Sequence, residues 1–146
     1  MSSIHSSIGA ITIAINGLAA IIGAFAALTY RNPKAFWIPL RTGQALVILD
    51  AVIGAGLLLS GDELPRLHLI YGLTPIGVSF LAEQLRLASA DTVLAARDLE
   101  DAQAMRGLPE REQHAIVHQI IRREVGVMAA SAFVVAVLGL RAGAWL

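Results

Sequence analysis

A chain of 146 residues with 56% apolar and 15% charged side chains has the composition of a membrane protein, which excludes an ordinary soluble domain. Eleven basic residues balance eleven acidic ones, and no basic run or basic–aromatic patch is present to bind nucleic acid. The absence of cysteine excludes disulfides, thiolate metal sites, cysteine-ligated iron–sulfur clusters and covalently attached c-type haem.

The length fits a single membrane domain, and the apolar runs predict an all-α, four-helix transmembrane bundle with spans at about 4–30, 40–60, 67–87 and 125–140. The first span follows a start without charged residues, so it reads as a retained helix rather than a signal peptide. One side of it carries His5, Gly9, Thr12, Asn16, Ala20, Gly23 and Ala27 at steps of three and four, a stripe suited to close helix packing. Tyr30 and Trp37 suit an interfacial belt, and Pro39 suits the first turn of the second span. That span holds Asp50, Gly54 and Gly56, and the turn Gly61-Asp62-Glu63-Leu64-Pro65 ends it.

The third span has no charge between Arg66 and Glu83 and shows a polar and small stripe of His68, Gly72, Pro75, Ser79 and Glu83. Such a stripe faces protein rather than lipid. Glu83 and Arg86 read as a salt bridge within the helix. Residues 88–124 carry a seam of Leu85, Ala88, Thr92, Ala95, Leu99 and Ala102, a break at Gly107-Leu108-Pro109, and a stripe of Ile116, Val117, Ile120 and Ile121. This pattern predicts that the third and fourth helices extend into an antiparallel cytoplasmic hairpin with its tip near Gly107. The competing arrangement lays one or both helices on the membrane surface.

Nine basic residues (Arg31, Lys34, Arg41, Arg86, Arg97, Arg106, Arg111, Arg122, Arg123) fall on one side of these spans, and Arg66 and Arg141 on the other. The positive-inside rule then places the hairpin in the cytoplasm and both termini outside a bacterial inner membrane, with Trp145 as an outer anchor.

Three constellations carry chemistry. Asp50 lies about 20 Å along the helix from Trp37 and about 15 Å from Ser60, and a carboxylate at such depth costs about 2.5–3.5 kcal/mol. Span arithmetic places Asn16 and Ser79 at similar depth and no lysine or arginine there. Asp50 is therefore expected either to bond Asn16 as structural glue or to handle protons or cations. His5 and His68 begin spans running the same way, each with glycine four residues on. They read as interfacial or structural imidazoles, as axial ligands of a b-type haem, or as contacts to a metal or quinone. Glu110, His114 and His118, spaced by four, read as a solvated polar face or as weak metal ligands approached by Glu100 or Asp101. No nucleophile–base pair or Gly-rich phosphate loop appears.

The early histidine and the segment Leu67-His68-x-x-Tyr71-Gly72 after a Gly-Asp-Glu turn resemble small bacterial four-span membrane proteins of unassigned function. The resemblance covers about the first ninety residues and implies architecture. The histidine arrangement also looks a little like four-helix b-type cytochromes. The leading expectation is a non-enzymatic accessory or interaction subunit of a larger membrane complex, with lipid, other subunits or further copies of itself as partners. The alternatives are a haem-b electron-transfer protein using His5 and His68, and a small proton-coupled carrier using Asp50.

Overall fold

The computed structural model describes residues 2–29, 34–61 and 65–143; Tyr30, Arg31, residues 62–64 of the expected Gly61–Pro65 turn and Trp145 lie outside them. The described residues form α1 (Ser2–Thr29), α2 (Lys34–Leu59), α3 (Arg66–Leu87), α4 (Ser89–Ala95) and α5 (Glu110–Gly143), with a short 3₁₀ turn at Ala104–Gly107. At 28, 26 and 34 residues, α1, α2 and α5 are long and apolar enough to cross a bilayer. α3 has 22 residues and is long enough to span, but His68, Glu83 and Gln84 dilute its apolarity and it falls short of the other three in hydropathy. The fourth expected span is part of a longer helix, since α5 runs unbroken from Glu110.

α1, α2, α3 and α5 alternate in direction. α1 lies between α2 and α5, α3 packs on the other side of α5, and α2 scarcely meets α3. Small residues set the close approaches. A Cβ added to Gly23 would lie 2.5 Å from the Phe36 ring of α2 and 2.7 Å from the Ala129 Cβ of α5. One at Gly43 would lie 2.8 Å from the Asn16 amide, and one at Gly139 would lie 2.7 Å from Ile13. These contacts fix the register of α1 against both neighbours, because a side chain larger than hydrogen at any of them would push the backbones apart.

The dry core occupies the end nearer α4, where Ala19, Ala20, Ala26, Phe36, Leu40, Ala82, Val125, Met128, Ala129 and Ala132 pack together. Large apolar side chains also cover the outside: Ile38 is 73% exposed and Leu59 is 89% exposed. An apolar exterior over apolar helices has lipid, rather than water, as its natural solvent. At the end of α2, Gly61 takes a left-handed φ of 94° and its N–H bonds the Leu58 carbonyl, a turn that glycine closes without Cβ strain.

Beyond the bundle, the structure differs from the expected hairpin of two long helices. α3 passes through Ala88 into α4 and stops at Ala95, after which Asp98 adopts a left-handed φ of 56°. Asp101 accepts from the backbone N–H groups of Gln103 and Ala104, opening the 3₁₀ turn. Only the α5 arm is a long helix. The buried contacts are also rotated from the expected seam. Thr92, Ala95 and Ala102 are exposed, whereas Val93 and Leu94 pack on Ile116, with Leu99, Met105, Leu108 and Ile120 around them. The larger apolar side chains remove more surface from water than an alanine seam does, so they win the interface.

Replacing Gly23 by leucine is expected to destabilise the protein by about 1–3 kcal/mol through overpacking, read as a lowered Tm in detergent. Gly17→Ala, where a Cβ meets nothing within 4 Å, is expected to be neutral or stabilising by up to about 1 kcal/mol. Equal behaviour of the two variants would refute the register described for α1.

Candidate functional site

The open end of the bundle collects the polar groups that the core excludes. The α1 stripe that buries Thr12 and Asn16 continues to His5, which is half-buried against α2. There, His5 Nδ1 stands 2.9 Å from Asp50 Oδ1. The approach is at hydrogen-bond distance but out of line, and neither atom has another hydrogen-bond partner among the described residues. Two glycines leave room for the pair. A Cβ at Gly54 would lie 3.3 Å from the His5 ring, and one at Gly9 would lie 3.5 Å from Asp50 Oδ2.

α3 brings a second imidazole to the same place. The His5 and His68 ring centroids are 5.8 Å apart with an interplanar angle of 72°. His68 Nδ1 lies 3.3 Å from the Ala142 carbonyl oxygen of α5, which as an acceptor selects the tautomer with its proton on Nδ1. The three groups line a largely apolar cavity of about 370 Å³, with Tyr71 and Gly72 of α3 and Gly139 of α5 among its other walls. The Arg141 guanidinium stacks 5.9 Å over the Tyr71 ring.

All four long helices line the cavity, and a polar clamp joins α2 to α3 at the other end of the bundle. Glu83 accepts from Arg41, from Gln44 Nε2 at 3.1 Å and from Arg86 Nε at 2.8 Å. Both guanidiniums also lie over the Trp37 ring, at 5.5 and 5.9 Å. The expected Glu83–Arg86 bridge is therefore part of a larger contact between helices. Arg41 and Gln44 were visible in the sequence, but only the packing of α2 shows that they reach Glu83.

The structure joins Asp50 to His5, which span arithmetic had treated as separate constellations, and separates Asp50 from Asn16. The Asn16 amide sits on Gly43 and donates to the Thr12 carbonyl of its own helix at 2.9 Å, so the expected Asn16–Asp50 bond is replaced by an in-helix one. Ser79 lies eleven residues along α3 from His68, about 16 Å, and does not line the cavity. The depth estimate failed because it began the second span at Leu40, whereas α2 starts at Lys34 and ends at Leu59, so Asp50 lies beyond the helix midpoint. Packing slides α2 a little further along α1, bringing Asp50 opposite His5 and Gly9.

On the solvent face of α5, His114 Nε2 is 3.6 Å from Glu110 Oε1 with both side chains exposed, while His118 lines a shallow surface depression with Gln119 and Arg122. Glu100 and Asp101 are exposed as well. Among the described residues, no three histidine, aspartate or glutamate side chains gather as a metal-ion site.

A double-mutant cycle distinguishes the observed pairing from the one span arithmetic predicts. His5→Ala and Asp50→Ala are expected to couple by about 0.5–3 kcal/mol in detergent unfolding. Asn16→Ala and Asp50→Ala are expected to add within about 0.5 kcal/mol, since they make no contact. Coupling in the second cycle and none in the first would overturn the assignment. Comparison of the chain with family models, curated proteins and solved structures gives no match.

Proposed function

We propose that this is a multi-pass protein of the bacterial inner membrane whose four long helices cross together, with the α4 end in the cytoplasm and both termini outside. Its work is done in the cavity, which binds a small, largely apolar molecule whose polar part meets His5, Asp50 and His68. The observation that carries this reading is the convergence of two imidazoles and a carboxylate, from three helices, on one apolar cavity of about 370 Å³. Largely apolar cavities of that size with a few convergent polar groups are the usual form of a ligand site. Helix glue alone needs no such space.

That α2 and α3 both line the cavity yet scarcely meet supports entry between them from the bilayer, a route for a lipophilic ligand that avoids water. The antiparallel alignment of α3 along α5 supports α3 as the fourth span, because its polar stripe is turned inward and its exposed residues include Leu73, Phe80 and Leu81. The basic residues near α4 support the orientation.

A second reading, an interaction subunit, is favoured by the folded unit in which Val93, Leu94 and Ile116 pack beyond the bundle. It expects a stoichiometric partner in gently solubilised membranes, lost when residues 98–118 are replaced by a short turn while the cavity's ligand is retained.

The cysteine-free chain allows a direct test of orientation. Ser60→Cys is expected to react with a membrane-impermeant maleimide in intact cells, and Gln103→Cys only after permeabilisation; the reverse pattern would invert the topology. For the cavity, mass spectrometry of the protein in mild detergent is expected to find a bound small molecule near one per chain. Gly72→Phe, which projects into the cavity where a Cβ meets nothing within 4 Å, is expected to displace it with little change in Tm. Protein without a bound small molecule, both as purified and after exposure to membrane lipid extract, would refute the reading.

A further inference from the structure

We infer that the ligand of the cavity is a small lipophilic amine, held as its ammonium ion by Asp50 with the His5 and His68 imidazoles beside it; the inference rests on the cavity being a ligand site. The charge of the wall is the first argument. Asp50 is the one carboxylate among the described residues that line the cavity, and none of them is lysine or arginine. The Arg141 guanidinium stacks on Tyr71 and is not part of the lining. A carboxylate in apolar surroundings is costly until a cation or a proton offsets it. An ammonium ligand brings that cation with it. An anionic ligand instead adds a second negative charge where a low dielectric leaves the repulsion strong.

The hydrogen-bonding inventory is the second. Asp50 is 22% exposed, yet its Oδ1 is closed off against the His5 ring, so Oδ2 is the oxygen left accessible. The Ala142 carbonyl holds the His68 proton on Nδ1, which makes Nε2 of that ring an acceptor. The wall therefore offers acceptors from α2 and from α3. An alkylammonium is their complement, since it carries three N–H donors and no acceptor. Carboxylate and phosphate ligands, which only accept, are mismatched to both.

Size and lining are the third. A volume of about 370 Å³ is near the lower end for ligand sites and suits one small ring or a short chain. Val47 and Leu58 of α2 and Val135 of α5 are among the side chains that would cover such an apolar body. The ligand thus has a single polar head, met at Asp50, and a body that lipid also dissolves.

The test compares three probes that share one apolar body and differ in the charge of the head: phenylbutylamine, phenylbutanol and phenylbutyrate. Binding to the full chain in mild detergent near neutral pH is measured by equilibrium dialysis against protein-free micelles, which corrects for partitioning into detergent. The amine is expected to bind about 10-fold or more tightly than the alcohol, with the butyrate weakest. Asp50→Asn, checked for folding by its helical circular dichroism, is expected to weaken amine binding about 10–100-fold, the range for a hydrogen bond to a charged group. Gly72→Phe is expected to abolish binding of the amine and the alcohol alike. Glu110→Gln, which removes an exposed carboxylate on α5 away from the cavity, is expected to leave amine binding as it is. An amine no tighter than the alcohol, a butyrate tighter than either, or an Asp50→Asn protein that still prefers the amine would overturn the inference. If the alcohol binds as well as the amine and Gly72→Phe displaces both, only the ammonium assignment falls. If none of the three binds and no small molecule co-purifies, the cavity reading falls with it.

Discussion

The meeting of His5 with Asp50 depends on how closely α1 can lie between α2 and α5. That approach is set by hydrogen-sized side chains: Gly23 admits both the Phe36 ring and Ala129, Gly43 receives the Asn16 amide, and Gly139 receives Ile13. In lipid there is little hydrophobic drive to bring apolar helices together, so association relies on van der Waals contact over closely approaching backbones. The same contacts fix the stagger of α2 along α1. Asp50 faces His5 rather than Asn16 for that reason, although nothing near Asp50 in the sequence specifies it.

The two ends of the bundle solve different problems. Toward α4, alanines and a few large side chains fill the interior, and Glu83 gathers two arginines and a glutamine to tie α2 to α3. Three donors gather on this partly exposed carboxylate, and two cation–π contacts hold the guanidiniums, where a single exposed pair would contribute little. Toward His5, the four long helices line a cavity instead of closing on one another. Filling that space with leucines would give better packing, so the cavity and its polar lining stand out as the costly feature of the fold.

A carboxylate within an apolar bundle needs a partner, and here the partner is a titratable imidazole rather than a permanent cation. A lysine or arginine would have locked Asp50 as a fixed ion pair. An imidazole has a second ring nitrogen, so the pair combines a partner for Asp50 with a further hydrogen-bonding atom. His68, by contrast, is oriented by a backbone carbonyl, that of Ala142.

The sequence by itself determined the helical class, the membrane composition and the inward stripe on α1, because these follow from hydropathy and the 3.6-residue period that each helix carries alone. It also singled out His5, Asp50 and His68, since polar groups in apolar runs are costly wherever the partner lies. It placed Ile116, Ile120 and Leu99 at the contact beyond the bundle but chose the wrong face on the α4 arm, where Val93 and Leu94 bury more surface than Thr92 and Ala95 and where Asp98 turns the chain early. Only the tertiary structure decided that Asp50 meets His5, that Arg41 reaches Glu83, and that the two imidazoles share a cavity. These are matters of stagger and rotation between helices, and they are fixed by contacts such as Gly43 with Asn16 that link residues far apart in the chain.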